Sequence, residues 1–313
     1  MGLTIGVDIG GTKIAAGVVD QDGTVINQVK VPTPEDASVA VEAIAEVVQE
    51  VRGDREIEAV GLGAPGYVDS GRSKVIFAPN IYWRDEPLKA KTEAATGLPV
   101  VVENDANCAA WGEFRFGAGS MYDDVLCITL GTGIGGGIIL DRRLHRGRFG
   151  VAGEIGHMNM EPGGKLCGCG KYGCWEQYGS GSALRRFGRE FAAAHPDRAK
   201  ALVERGDGTA DSVRAFHVTQ AAAAGDTASL EILGVWATWV GQGLADLATL
   251  FDPAAFILGG GVSESGELVL APIRRAFREA LPGGDERPVA EVLPATMGQI
   301  AGIVGAADLA RIK

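Results

Sequence analysis

Apolar positions along the chain fall into two rhythms. Short apolar runs bounded by glycine and polar turns predict strands, and longer segments with apolar residues three and four apart predict helices. Residues 3–9, 14–19 and 25–31 read as three strands, with Gly10-Gly11-Thr12 and Gln21-Asp22-Gly23 as the turns between them. Residues 35–52 read as a helix, because Ile44, Val47, Val48 and Val51 share one face and Pro34 suits the first helical position after Thr33. Residues 59–64 and 100–102 are further short strands, and a helix over 105–116 starts directly after the second. The pattern then restarts: a strand at 125–130, a glycine turn at 131–137, a returning strand at 138–140 and a turn at Asp141-Arg142-Arg143. Strand, glycine turn, strand, turn therefore occurs near residue 10 and again near residue 132, which reads as an internal duplication.

The second half is rich in helical spacing. Residues 227–250 carry Leu230, Leu233, Trp236, Val240, Leu244 and Leu247 on a helical repeat, which marks a core face rather than a cofactor box. Residues 255–258 form a strand that ends in Gly259-Gly260-Gly261, residues 268–281 read as a helix, and a last helix runs from about 302 to the end, placed to return onto the first lobe. No Pro/Ser-rich linker separates the halves, so a boundary near 103–120 is a soft one.

Composition changes this picture in three places. Glycine is 47 of 313 residues, about twice the usual share, and it clusters in short runs beside apolar segments, where backbone must approach a ligand closely. The formal net charge is −11 with no long basic stretch, which excludes a nucleic-acid surface built on lysine and arginine patches. The apolar run at 3–9 is too short for a signal sequence and lacks a basic flank, Gly6 stands where myristoylation expects Ser or Thr, and no run reaches membrane-spanning length; a cytoplasmic protein is expected. Of five cysteines, three lie within eight residues, a pattern that suggests metal rather than disulfides.

Two familiar glycine motifs nearly match and mislead. Residues 6–13 resemble a Walker loop, but the order is Gly-Gly-Thr-Lys and a strand follows where a helix is required. Gly131-x-Gly133-x-x-Gly136 and Gly61-x-Gly63-x-x-Gly66 satisfy the dinucleotide fingerprint literally, yet neither opens a helix. What remains is Asp8-Ile9-Gly10-Gly11-Thr12-Lys13 and Leu130-Gly131-Thr132-Gly133, each a strand end, a glycine turn and a hydroxyl residue. Either alone reads equally well as a tight β-turn without a ligand. Two of them, with Gly259-Gly260-Gly261 after a third strand, offer backbone N–H and threonine donors to a chain of phosphates, and Asp8 at the first strand tip is suited to hold Mg²⁺ through water.

Taken with Glu103-Asn104-Asp105-Ala106-Asn107, Gly131, Gly133, Gly147, Gly153, Gly156 and the run Cys167-Gly168-Cys169-Gly170-Lys171-Tyr172-Gly173-Cys174-Trp175-Glu176, the sequence resembles the ROK family of bacterial sugar kinases, within the actin/hexokinase superfamily. The match covers nearly the whole chain and is nearest in pattern to actinobacterial glucokinases. The resemblance implies an α/β protein with a two-lobed actin-like ATPase (ribonuclease H-like) fold and an interlobe cleft. Residues 1–103 with about 302–313 would form the smaller lobe, and 104–301 the larger lobe with a zinc loop. ATP phosphates would meet Asp8, Gly10, Gly11, Thr12, Lys13, Thr132, Gly133, Gly260 and Gly261. Lobe closure on the sugar and a homodimer or homotetramer are also implied.

Phosphoryl transfer to a hydroxyl needs a proton acceptor aligned with the γ-phosphate. Asp105 sits where a strand ends and a helix begins; on the residues alone its commoner role is to cap that helix. The resemblance makes it the general base. His157, Cys167, Cys169 and Cys174 supply one nitrogen and three sulfurs, a full tetrahedral set for structural Zn²⁺ with no open position. Three buried thiols near an unrelated histidine is the competing account, but a glycine-rich loop has little core to bury them in. Cys108 and Cys127 lie on helix and strand patterns and read as core. By resemblance, Gly66 (through its backbone), Asn80, Asn104, Asp105, Glu154, His157 and Glu176 contact sugar hydroxyls, and Asn80-Ile81-Tyr82-Trp83 fits the glucokinase pattern. The expectation is ATP-dependent phosphorylation of glucose. A kinase for mannose, fructose or N-acetylmannosamine is the alternative within enzymes, and a non-catalytic sugar or nucleotide sensor the alternative outside them. The repressors of the same family carry an N-terminal helix-turn-helix, for which a first strand at Leu3 leaves no room.

Overall fold

The computed structural model describes residues 2–34, 39–78, 81 and 83–312. In chain order the elements are β1 (Leu3–Ile9), β2 (Lys13–Val19), β3 (Val25–Pro32), α1 (Ala40–Arg52), β4 (Ile57–Ala64), β5 (Tyr67–Val68), β6 (Val75–Ala78), β7 (Trp83–Glu86), α2 (Leu88–Thr96), β8 (Val100–Asn104) and α3 (Asp105–Phe116). They continue with β9 (Val125–Leu130), β10 (Ile134–Leu140), β11 (Arg143–Leu144), α4 (Glu176–Gly179), α5 (Gly181–Ala194), α6 (Lys200–Val203), α7 (Ala215–Ala223), α8 (Thr227–Phe251), β12 (Ala255–Gly259), α9 (Glu267–Ala280), β13 (Glu291–Pro294) and α10 (Ala301–Leu309).

Two five-stranded sheets share one topology. The first runs β3-β2-β1-β4-β8 and the second β11-β10-β9-β12-β13, so the repeated strand–turn–strand pattern of the sequence folds into the same strand order twice. In the first sheet β1 pairs antiparallel with β2 and parallel with β4, which pairs parallel with β8. A small antiparallel sheet, β5-β6-β7, is inserted after β4. By contacts the chain forms two compact units: Met1–Cys127, Gly136–Gly153 and Thr296–Lys313, and Ile128–Gly135 with Glu154–Ala295.

In the first unit the core is built from the apolar runs the pattern exposes. Ile5, Val7, Ile9, Val60, Leu62 and Val102 are buried with Ile44, Val47, Val48 and Val51 of α1. The C-terminal helix α10 closes the other face. It lies against bare backbone: Gly6 and Gly61 are paired across β1 and β4, and a Cβ on each would stand 1.8 Å from the carbonyl oxygens of Ile303 and Ala306. Helix α3 packs on α10 in the same manner, with Gly112 against Ala301 and Gly305 against Cys108, so this unit runs past residue 103 to take in α3. In the second unit the long helix α8 buries Leu233, Trp236, Val240, Leu244 and Leu247.

Several expectations differ in detail. Helix α1 begins at Ala40, and Pro34 is not its first residue; Thr33 donates its hydroxyl to Gly10 O (2.6 Å) and its N–H to Thr12 O (3.1 Å), which binds this segment to the first glycine turn instead. Residues 134–137 are strand rather than turn. Their glycines make room for α3, since a Cβ on Gly137 would lie 2.3 Å from Ala110 Cβ. Leu230 is 43% exposed and is not core, because it falls on the outer side of the first turn of α8. Among the described residues no helix is long and apolar enough to cross a membrane.

Candidate active site

Each compact unit assembles one group of the expected residues. In the first unit the register of three parallel strands does the assembling: Asp8 lies opposite Gly63, Gly63 opposite Glu103, and Ala64 opposite Asn104. The chain therefore leaves β1, β4 and β8 at one sheet edge, the carboxyl edge where α/β sheets bind ligands. Gly10 N–H donates to Lys13 O (2.9 Å) to close the first turn, leaving Gly11, Thr12 and Lys13 exposed. Lys13 Nζ reaches Gln299 Oε1 at 3.3 Å. No hydrogen-bond donor among the described residues reaches the Asp8 carboxylate; burial pushes its pKa up against the pull of Lys13. A Cβ on Gly302, at the start of α10, would stand 3.2 Å from Asp8 Cγ, so glycine there keeps space in front of this acid.

Asn104, not Asp105, caps α3. Its side chain accepts from Asn107 N–H (3.0 Å) and donates to Gly66 O (3.1 Å), which joins two expected sugar contacts to each other. Asp105 is the first helical residue, with Oδ1 2.9 Å from Ala106 N. The cap that competes with a chemical role for Asp105 is thus supplied by its neighbour. A carboxylate in the first turn of a helix also keeps its negative charge favourably.

In the second unit the turn after β9 is closed by Gly131 N–H to Gly133 O (3.1 Å), and Gly131 O accepts from Gly181 N–H (2.7 Å). The turn after β12 is packed onto it: a Cβ on Gly260 would lie 2.6 Å from Leu130 O. Thr132, Gly133, Gly260 and Gly261 therefore share one end of the sheet, and a Cβ on Gly131 or Gly261 would meet nothing within 4 Å.

Behind these turns stands the histidine–cysteine cluster. Short bridges pair Leu166 with Tyr172 and Asn159 with Cys174, and the chain between them turns through Cys167 N–H to Lys171 O and Gly170 N–H to Cys167 O (2.8 and 2.9 Å). The ligand atoms of His157, Cys167, Cys169 and Cys174 lie within 4.8 Å of one another. Cys169 Sγ is 3.6 Å from Cys174 Sγ, and Cys167 Sγ is 3.7 Å from His157 Nδ1. A tetrahedron with Zn–S bonds of about 2.3 Å has edges of about 3.8 Å, so these spacings fit zinc.

Two carboxylates sit beside the cluster. Glu176 Oε1 is 2.9 Å from Cys167 Sγ, and its Oε2 would be 2.6 Å from a Cβ on Gly133, which places this acid under the second glycine turn. Burial raises the pKa of Glu154; nearby His157 opposes the rise and Glu176 adds to it. Trp175, between Cys174 and Glu176, is fully buried, donates Nε1–H to Trp239 O (2.9 Å) and fills the space of the side chain absent from Gly243, where a Cβ would stand 2.1 Å from the indole. Asn80 and Tyr82 lie outside the described residues.

Three residues near the site carry roles that motif reading passed over. Buried Glu103 and the partly exposed Arg72 and Arg146 form a charge cluster next to Asn104. The signal was present in Glu103, an acid that continues the apolar run of residues 100–102 directly into the Asn-Asp pair. Arg72 and Arg146 had no local signal.

The profile of the ROK family matches residues 4–313. The chain is 58% identical to the glucokinase of Streptomyces coelicolor over 311 residues, covering 99% of this chain and 98% of that one. It is 36% identical to the glucokinase of Thermotoga maritima, covering 97% and 96%. Its structure is similar, at a TM-score of 0.91, to the crystal structure of a ROK family glucokinase from Streptomyces griseus in complex with glucose and AMPPNP, which is 59% identical with both chains covered at 100%. The fold is of the mixed α/β, actin-like ATPase class. The chain belongs to the ROK family.

Proposed function

We infer that this protein transfers the γ-phosphoryl group of ATP to glucose, giving glucose 6-phosphate. The observation that carries this reading is the full-length likeness to an enzyme whose structure holds glucose and an ATP analogue. An Asn104–Asp105 pair at a sheet edge and a Glu154, His157, Glu176 group at the metal cluster support it.

In the proposed reaction Asp105 accepts the proton of the attacking sugar hydroxyl as the bond to phosphorus forms and ADP leaves. Positioned general bases contribute about 10²–10⁴-fold to such steps. The turns at Gly10–Gly11–Thr12 and Thr132–Gly133, with Gly260 and Gly261, would donate backbone N–H groups and hydroxyls to the phosphates. Lys13 would add charge at the first turn. A Mg²⁺ ion fits beside Asp8, whose buried carboxylate lacks a donor among the described residues; Mg²⁺ would offset phosphate charge there. Gly66, Asn80, Asn104, Asp105, Glu154, His157 and Glu176 would hold the sugar.

Zinc would be held by His157, Cys167, Cys169 and Cys174, and its contribution is structural. With Nδ1 turned toward the sulfurs, His157 retains Nε2 for a sugar hydroxyl, and the metal would fix the tautomer that makes this possible. The test of the base is Asp105→Asn. Glucose binding by calorimetry should persist while turnover falls by about 10²–10⁴-fold. Near-normal turnover in the folded variant would remove Asp105 from the mechanism.

A further inference from the structure

We propose that Glu103 is the positioning residue of the Asn104–Asp105 pair and that Arg72 and Arg146 hold it in place. The inference rests on the assignment of Asp105 as the base.

The Glu103 carboxylate is 1% exposed, yet it meets four donors. Oε1 accepts from the backbone N–H of Asn104 (2.9 Å) and from Asn107 Nδ2 (3.0 Å). Oε2 lies 3.2 Å from Arg72 Nε and 2.6 Å from Arg146 Nε; both are ion pairs rather than aligned hydrogen bonds. A buried ion pair adds little stability over an apolar residue of similar size. The next strands place Gly63 and Asp8 in the same row, so nothing in the sheet requires an acid there. What the network does fix is geometry.

Asn104 is the switch from strand to helix, with φ −64° and ψ 142°, and Asp105 follows it as the first residue of α3. Glu103 holds the Asn104 N–H. Asn107 connects the same carboxylate to the first turn of the helix, where its own N–H binds the Asn104 side chain. Rotation about the Asn104 backbone, which would swing Asp105, must break these bonds.

Arg72 and Arg146 fasten the carboxylate from outside the strand. Arg72 adopts φ 53°, in the left-handed region that side-chain residues avoid, and its carbonyl accepts from Val102 N–H (3.1 Å). Strain of this kind persists where surrounding contacts over-determine it. Arg146 also donates to Asp69 O (2.9 Å) and Ser70 O (3.0 Å), so the turn between β5 and β6 is tied to the same carboxylate.

The experiment is a double-mutant cycle between Glu103→Gln and Asp105→Asn, read as the single-turnover rate of phosphoryl transfer at saturating glucose and Mg-ATP. Glu103→Gln should lower the rate about a hundredfold, the cost of a small misplacement of a reacting group, with the ATP KM unchanged. In the Asp105→Asn background the same change should cost no more than about twofold, because nothing remains to be positioned. Equal losses in both backgrounds, or a wild-type rate for folded Glu103→Gln beside an inactive Asp105→Asn, would overturn the proposal and leave the base assignment standing. An active Asp105→Asn would instead overturn the base assignment, and this proposal with it. Should Glu103→Gln not fold, Arg146→Lys, which keeps the charge and loses the planar fork, is read through the same cycle with the same outcomes.

Discussion

At the scale of single residues the site depends on what is left out as much as on what is present. Gly133 has space for its own backbone but not for a side chain, since a Cβ would stand 2.6 Å from Glu176 Oε2. The obstructing atom is the end of a flexible side chain, so Gly133→Ala should push Glu176 aside and leave the fold intact. Stability should change by less than about 0.5 kcal/mol. A displaced charged hydrogen bond to sugar costs about 1.5–3 kcal/mol, so the glucose KM should rise roughly 10- to 100-fold. An unchanged KM in steady-state kinetics would take Glu176 out of the sugar site. Asp105 shows how far one residue is legible in sequence. A strand-to-helix junction reading Asn-Asp offers two residues for one cap, and only the hydrogen bond from Asn107 N–H to Asn104 Oδ1 decides between them.

At the scale of elements, legibility followed length and period. The apolar runs of β1, β9 and α3 give their bounds directly, because each is long enough to show a burial pattern. The sheet of β5, β6 and β7 was not anticipated; its strands are two to four residues long, too short for a period of two to register. The cysteine hairpin was legible for a different reason: ligand chemistry constrains spacing where hydrophobicity does not. Its anchor was not, because Trp175 lodges against Gly243 of α8, sixty-eight residues away (243 − 175), and no local pattern records that pairing. This anchor joins the cluster to Glu176 through one residue on either side. Removing zinc from the protein with a chelator should therefore raise the glucose KM sharply, with zinc measured by atomic absorption returning to one per chain as KM recovers. Metal-free protein with unaltered kinetics would refute the link between the cluster and the sugar.

At the scale of the molecule, the same strand order occurs in two sheets, and each compact unit brings its own glycine turn and its own polar group to a sheet edge. The duplication was legible as a repeated strand and turn, and so was the return of the last helix onto the first lobe; what sequence order conceals is the contact it makes there, α10 backbone against Gly6 and Gly61 paired across β1 and β4. The central claim is that this protein phosphorylates glucose at the expense of ATP. The most direct measurement is ADP release by the zinc-loaded protein with Mg-ATP and, in turn, glucose, mannose, fructose and N-acetylmannosamine. The account predicts turnover with kcat/KM highest for glucose. Higher kcat/KM with another of these sugars would move the substrate while keeping the chemistry, and no ADP release with any of them would contradict the claim that this protein is a sugar kinase.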